Sequence, residues 1–345
     1  MTIQTEIKPA TTAEALLEVR DLKVTVPARG GLATIVDGVS FRVNKGEALG
    51  VVGESGCGKS ITAMSLLGLL PPGAKVAAGT AMFEGNDLFK LSNSKMRHVR
   101  GGRISVVFQD PMTSLNPVMR IGDQIIEPLM EHLKLSKADA WARAGELMRL
   151  VGIPGGETRL VNFPHELSGG MRQRVMIAIG LACEPPLVIA DEPTTALDVT
   201  IQAQIVDLVK DLRKRLGMSI IWITHDLALV SGLVDRVMVL YSGKIVEEAP
   251  VDELYANPTH PYTRGLLASL PRLDGAESRR LPSIAGTPPD PRRRPAGCPF
   301  APRCALKIAR CETQMPPLDP VPNSHAAHKA ACWVTVEGFK EGVAA

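Results

Sequence analysis

Gly53-Glu54-Ser55-Gly56-Cys57-Gly58-Lys59-Ser60 satisfies G-x-x-x-x-G-K-[ST] in full, and Ile61 carries it into a helix-like stretch running from Lys59 to Leu70. A short apolar run, Glu47 to Val52, leads into the loop. Strand, glycine loop and helix in that order open an α/β nucleotide-binding unit. The glycines let the backbone curl so that successive N–H groups point at phosphate oxygens, and the helix start adds partial positive charge. Lys59 is placed to neutralise the β- and γ-phosphates, and the Ser60 hydroxyl to coordinate Mg²⁺.

Upstream, Leu16 to Val26 alternates apolar and polar residues, and Ile35 to Val43 repeats the pattern, so both read as strands. Downstream, Arg103 to Phe108 reads as a strand, and the stretch from about 112 to 165 is rich in helical signals, with Ala140, Ala144, Leu147, Met148 and Val151 near helical spacing. A helix is expected from Gly169 to Ala182, stopped by Pro185-Pro186. A strand Leu187 to Ala190, a helix Val199 to Leu216, and strands Ser219 to Thr224 and Val237 to Tyr241 follow. The strand at Leu187 runs into Asp191-Glu192, where Asp191 can hold Mg²⁺ through water and Glu192 can polarise an attacking water. An apolar run ending in two acids is common at strand ends, so this second motif takes its weight from its company.

Composition sets the outer limits. The chain has 345 residues, 45% hydrophobic and 22% charged, which excludes wholesale disorder and leaves room for one large domain and an appendage. A net charge of +3 from 39 basic and 36 acidic residues argues against general nucleic-acid binding. The best candidate for a membrane span, Ser219 to Tyr241, is interrupted by His225, Asp226, Asp235 and Arg236, and Met1 to Ala15 lacks the apolar core of a secretory signal. A cytosolic protein is expected, held at any membrane by a partner. After about Glu253 prolines punctuate the chain, and long regular structure is not expected.

Leu167-Ser168-Gly169-Gly170-Met171-Arg172-Gln173-Arg174 resembles the signature sequence LSGGxxQR of ABC ATPases. Ser168, Gly169 and Gly170 before a helix expose N–H groups at its positive end, a second γ-phosphate site. In that family two subunits meet head to tail and each ATP lies between one phosphate loop and the opposite signature, so the resemblance implies a dimer. The other family motifs occur in order. Gln109 matches the Q-loop glutamine that contacts Mg²⁺ or the water. Ala196-Leu197-Asp198 resembles the D-loop that crosses the dimer interface, and His225 matches the switch histidine at the γ-phosphate. One departure is Val26, which occupies by pattern the place of the family's adenine-stacking aromatic.

Phe108-Gln109-Asp110-Pro111-Met112-Thr113-Ser114-Leu115-Asn116-Pro117, His260-Pro261-Tyr262-Thr263-Arg264-Gly265-Leu266-Leu267 and Gly297-Cys298-Pro299-Phe300-Ala301-Pro302-Arg303-Cys304 resemble elements of the oligopeptide/dipeptide/nickel importer branch. The resemblance implies an α/β phosphate-loop ATPase core with an antiparallel β subdomain, an inserted helical subdomain and a C-terminal extension. Expected boundaries are a flexible 1–15, an ATPase domain over 16–253 and an extension over 254–345. It implies ATP and Mg²⁺ as ligands, two transmembrane permease subunits, a second related ATPase subunit, and an extracytoplasmic substrate-binding protein. The expected location is the cytoplasmic face of the plasma membrane, and the expected work is uptake of oligopeptides or dipeptides. Nickel or another small solute as cargo, a soluble non-transport ABC ATPase, and a partner subunit that binds ATP without turnover are the alternatives. A single phosphate loop and the presence of Glu192 and His225 weigh against the last two.

Cys298, Cys304, Cys311 and Cys332 give C-x5-C-x6-C-x20-C. Four thiolates can hold zinc or an iron–sulfur cluster, and in a reducing cytosol metal binding is favoured over disulfides. Zinc sites usually have closer pairs; the looser spacing suits a [4Fe–4S] cluster better, and the resemblance to the peptide-importer branch implies one here, so a cluster is the expectation. Zinc, free thiols, and His325 or His328 as rival ligands stay open.

Overall fold

The computed structural model describes residues 14–195, 197–270 and 283–334. The chain begins with two long antiparallel strands, β1 (Ala15–Ala28) and β2 (Gly31–Asn44), and enters the central sheet at β3 (Ala48–Val52). The phosphate loop and helix α1 (Lys59–Leu66) come next, then β4 (Lys75–Phe83), β5 (Asn86–Asp87), α2 (Asn93–Val99) and β6 (Ile104–Val107). α1 stops four residues before the expected Leu70. Leu67 is its C-cap and Gly68 turns left-handed at φ 60, ahead of Pro71-Pro72.

Between β6 and the next strand lie α3 (Pro111–Ser114), α4 (Ile121–Leu133), α5 (Lys137–Leu150), α6 (Gly156–Arg159) and α7 (Gly169–Leu181). The chain then alternates through β7 (Leu187–Asp191), α8 (Val199–Leu216), β8 (Ser219–Thr224), β9 (Arg236–Tyr241) and β10 (Lys244–Pro250). It ends with α9 (Val251–Ala256), α10 (Pro261–Ala268), α11 (Ala309–Thr313), β11 (Asp319–Pro320) and β12 (Lys329–Ala330).

Two sheets result. One is antiparallel, in the order β2-β1-β4-β5; the other has eight strands, in the order β11-β12-β10-β9-β3-β8-β7-β6. The neighbouring pairs among β9, β3, β8, β7 and β6 are parallel. β3, β7 and β8 are buried at every residue, which is why they read as unbroken apolar runs rather than alternating ones. Alternation survives as a division between two cores. Leu187, Ile189, Ile221 and Ile223 pack with α1 and the antiparallel sheet. Val188, Ala190, Ile220 and Trp222 pack on the other face with α4, α5, α7 and α8.

The stretch 219–241, read as too interrupted by charge to span a membrane, is split between β8 and β9, and no helix among the described residues is long and apolar enough to cross a membrane. Residues 1–13 of the expected flexible N-terminus lie outside the described residues, and Ala15 already pairs with Asn44.

The extension does more than trail from the domain. β12 pairs with β10, and β11 with β12, so the extension lengthens the central sheet by two short strands. The fully buried Glu247 of β10 gathers it from three directions. Its carboxylate accepts from Thr259 N at 2.6 Å, from His260 N at 2.9 Å, and faces His328 Nε2 at 2.8 Å. Cys298, Phe300 and Cys311 join the same core as the inserted helices. Composition concealed this, because the anchoring comes from single polar contacts and from pairings only two residues long.

Candidate active site at the strand ends

The C-terminal ends of β3, β6, β7 and β8 lie side by side in the sheet, and the residues that follow them meet there. This is the edge where open α/β sheets bind ligands. β3 delivers the phosphate loop. Gly53 must be glycine, since a Cβ would sit 2.3 Å from Leu240 O. Gly58, the N-cap of α1, sits at φ 105, a conformation that side chains resist. No acidic side chain occupies the first turn of α1, so its positive end is left for an anion. Lys59, 5% exposed, donates to Gly53 O at 2.7 Å and Glu54 O at 3.2 Å, which curls the amine over the loop.

Glu192 is the meeting point. Its Oε1 lies 3.7 Å from Lys59 Nζ. Its Oε2 accepts from Thr195 Oγ1 at 3.0 Å and from Gln109 Nε2 at 3.4 Å, and lies 3.1 Å from His225 Nδ1. One carboxylate thus joins residues following β6, β7 and β8 to the lysine of the loop after β3. Its backbone is left-handed at φ 47, strain that a non-glycine residue carries at the cost of roughly 1 kcal/mol or more.

Beside it, Asp191 Oδ1 accepts from Ser60 Oγ at 2.9 Å. Burial raises the Asp191 pKa, the Ser60 hydrogen bond opposing and the neighbouring Glu192 charge adding to the rise. A buried carboxylate next to a hydroxyl is a hard-oxygen pair short of positive charge, so these two residues fit a Mg²⁺ ion.

Other expected positions take different parts. Ser55 and Gly56 are exposed at the tip of the loop. Cys57 is buried, with its thiol pushed up chiefly by desolvation, so only its backbone can face a nucleotide. Ile61 is half-buried and packs its side chain on the core beneath α1. Glu54 is occupied by the C-terminal extension: its N–H donates to Tyr262 Oη at 2.8 Å and its carboxylate is forked by Arg303. It lines a cavity of about 240 Å³ together with Ser55, Gly56, Cys57, Ile35, Pro288, Pro289 and Arg294.

Ser168 caps α7, its hydroxyl accepting from Met171 N, and leaves Gly169 exposed at a helix start without acidic residues. Asp198 caps α8 by accepting from Ile201 N at 3.0 Å. Ala196 lies outside the described residues. Val26 is half-buried in β1 opposite Ala33.

Sequence reading missed Thr195, Tyr262 and Arg303. The last two stood in quoted motifs, but nothing in their spacing said that they reach the phosphate loop.

The four C-terminal cysteines are free. Burial pushes the Cys298 and Cys332 thiols up to about 11, and Cys298, Cys304 and Cys311 lie near enough to Cys332 for their charges to add to its rise. Among the described residues, no group of three or more His, Cys, Asp or Glu is arranged to hold a metal ion. The thiols therefore share a neighbourhood without presenting a finished ligand set. His328 is committed to Glu247 and to Ser324 Oγ at 2.6 Å, which removes it as a rival ligand.

A phosphate-loop motif, a buried carboxylate bonded to a serine hydroxyl and a second carboxylate facing four partners at one sheet edge match the parts of a nucleotide hydrolase, and the helix-borne signature motif narrows the match to the ATP-binding cassettes. Residues 36–195 match the family described as ABC transporter, and residues 246–311 match the oligopeptide/dipeptide transporter C-terminal region. A probable peptide ABC transporter ATP-binding protein of Sinorhizobium fredii is 52% identical over 93% of this chain and 95% of its own. The oligopeptide transport ATP-binding protein OppD of Bacillus subtilis is 52% identical over 90% of this chain and 87% of its own. Among solved structures, the dimeric post-hydrolysis cassette MJ0796 bound to ADP and Pi superposes with a TM-score of 0.62 at 26% identity, covering 68% of this chain and 98% of that one. This chain belongs to the ATP-binding subunits of peptide-importing ABC transporters.

Proposed function

We propose that this chain hydrolyses ATP at the cytoplasmic face of the plasma membrane and drives uptake of oligopeptides or dipeptides through two permease subunits supplied by an extracytoplasmic binding protein. The observation that carries the catalytic part is Glu192, whose carboxylate faces Gln109, Thr195, His225 and Lys59 together.

The backbone N–H groups of Gly56, Cys57, Gly58, Lys59, Ser60 and Ile61 receive the phosphates, and Lys59 neutralises their β and γ charge. Ser60 and Asp191 would hold Mg²⁺, with Gln109 beside it, and the ion would supply positive charge to offset that of the phosphates. Glu192 orients and polarises the attacking water, held in place by Thr195, while His225 reaches the γ-phosphate. Ser168, Gly169 and Gly170 of a second ATPase subunit close the site from the far side, with Asp198 at the crossing. That subunit is a related chain or a second copy of this one. The dimeric form of the MJ0796 cassette favours this arrangement.

The functional units are an ATPase domain over 16–253, with helical subdomain about 112–165, and an extension over 254–345. Phe108, Met112, Val118 and Val161 expose apolar side chains around that subdomain, which suits a permease coupling helix.

For Cys298, Cys304, Cys311 and Cys332 the donor type alone, four free thiols in one neighbourhood, supports a [4Fe–4S] cluster that would pin the extension; as they stand, no group of three or more among the described residues is arranged to hold a metal ion. Iron and sulfide in the anaerobically purified full chain, lost in Cys311→Ser, are expected; zinc, or no metal at all, refutes the cluster.

Affinity purification of the tagged chain from native membranes in mild detergent tests the transport reading. Co-purification of two multi-span permeases and a related ATPase is expected. Recovery of ribosomes or repair proteins without a permease would overturn it.

A further inference from the structure

The phosphate loop is held from behind by the C-terminal extension. Arg303 is 5% exposed at its side chain. Its Nη1 donates to Glu54 Oε2 at 2.7 Å and its Nη2 to Glu54 Oε1 at 2.9 Å, a two-point fork. The rest of the guanidinium is spent on neighbours that fix it. Nε donates to Ala285 O at 2.9 Å, Nη2 also to Ile284 O at 3.2 Å, and Nη1 also to Tyr241 Oη at 3.1 Å. Tyr262 approaches from α10, its hydroxyl accepting from Glu54 N at 2.8 Å. The rings of Tyr241, Tyr262 and Phe300 pack together, 4.6 to 5.5 Å between centroids, and wall off this contact.

Glu54 thus spends its N–H and its carboxylate on the extension, and its carbonyl on Lys59 at 3.2 Å. The peptide that carries this N–H also carries the Gly53 carbonyl, which accepts from Lys59 Nζ at 2.7 Å, so rotation about Glu54 would move both carbonyls that seat the lysine.

We propose that Arg303 is a positioning residue of the ATP site: it clamps Glu54, and through the Glu54 carbonyl sets where Lys59 stands, so that ATP affinity depends on the docked extension. This rests on residues 53–60 being the ATP site. Arginine suits the task because its rigid fork fixes the carboxylate plane, whereas a lysine ammonium is a point charge on a flexible stem.

The test is MgATP affinity of the full chain by titration calorimetry, for the protein and for R303K, R303Q, E54Q and R303Q/E54Q, with turnover at saturating ATP and thermal melting alongside. R303Q should weaken MgATP by about tenfold, and R303K by about threefold because it keeps the charge and loses the fork. Turnover at saturating ATP should stay within about twofold, since the hydrolytic carboxylate is not touched. R303Q/E54Q should bind no more weakly than R303Q, because the two residues act as one unit.

Affinity of R303Q within twofold of the unaltered protein, additive losses in the double variant, or a fall in saturating turnover at constant affinity would each overturn the proposal. If R303Q fails to melt cooperatively, R303K and E54Q decide. Both keeping full affinity overturns the clamp, and weakened binding by both with unchanged melting supports it. If the unaltered protein does not bind MgATP, or Lys59→Ala binds as it does, the ATP-site reading falls and the proposal with it.

Discussion

At the residue scale, the two acids at the end of β7 have separate fates that their adjacency in sequence conceals. Glu192 is half-buried and faces donors, so Glu192→Gln should keep MgATP binding while turnover falls by about 100-fold or more, the usual worth of a general base. Phosphate release and nucleotide binding measured on the same sample check this; near-normal turnover would remove Glu192 from its role. Asp191 is buried and its folded pKa is raised above 3.8, chiefly by desolvation. A raised carboxylate pKa means that ionisation in the folded state is opposed. Stability therefore drops as pH climbs through 3.8 toward the folded pKa, and at neutral pH the cost is fully present. Asp191→Asn should therefore melt higher than the unaltered protein in chelator and lose the extra stabilisation given by MgATP. A lower melting temperature in chelator would contradict the picture of a carboxylate waiting for a cation. Cys57 carries a different lesson. It stands in the middle of the phosphate loop, where an added group would block ATP by bulk, but the residue is 6% exposed and its thiol is pushed up, so alkylation should be slow in the folded chain. Mass spectrometry after brief treatment with a maleimide shows which outcome holds.

At the scale of elements, α10 lies near the start of the C-terminal region. His260 begins it, its Nδ1 accepting from Tyr262 N at 3.1 Å, and burial brings its pKa from 6.5 down to about 4. A neutral imidazole folded and a titratable one unfolded make stability fall as pH drops below 6.5, levelling near 4. The whole window is worth on the order of 3 kcal/mol for this group. His260→Asn keeps a capping acceptor at the helix start and should flatten the dependence of melting temperature on pH between 6.5 and 4. An unchanged slope would assign the acid sensitivity to other groups. Much of this level was legible beforehand. The strands at β3, β7 and β8 declared themselves as apolar runs, and α5, α7 and α8 by periodicity and stops. β4, with its Gly79 and only two buried residues, and α10, which opens on a proline within a proline-punctuated stretch, carried no such signal. Both owe their conformation to the neighbours they pair with or pack on.

For the whole molecule, the decisive expectation is association. The signature glycines at the start of α7 and the phosphate-loop motif at the start of α1 put two helix starts without acidic residues, each suited to an anion, on one chain. Each can serve one nucleotide only if a second subunit supplies the complement. Glu192→Gln with MgATP should therefore shift toward twice the monomer mass in light scattering, with either a second copy or its related partner subunit, and return to monomer with MgADP. A monomer under all nucleotide conditions and with the partner present would refute the composite site.

The order of phosphate loop, glutamine, signature, paired acids and histidine was set by sequence alone, because each motif is local and its chemistry follows from residue type and spacing. The class of fold came with it, since alternating strands and helices around such a loop allow few topologies. Tertiary structure alone decided what lies behind the loop. Arg303 is 249 residues from Glu54, and His328 is 81 from Glu247. No periodicity or spacing encodes contacts of that range; they exist because the extension packs into the same core as the inserted helices and completes the sheet edge.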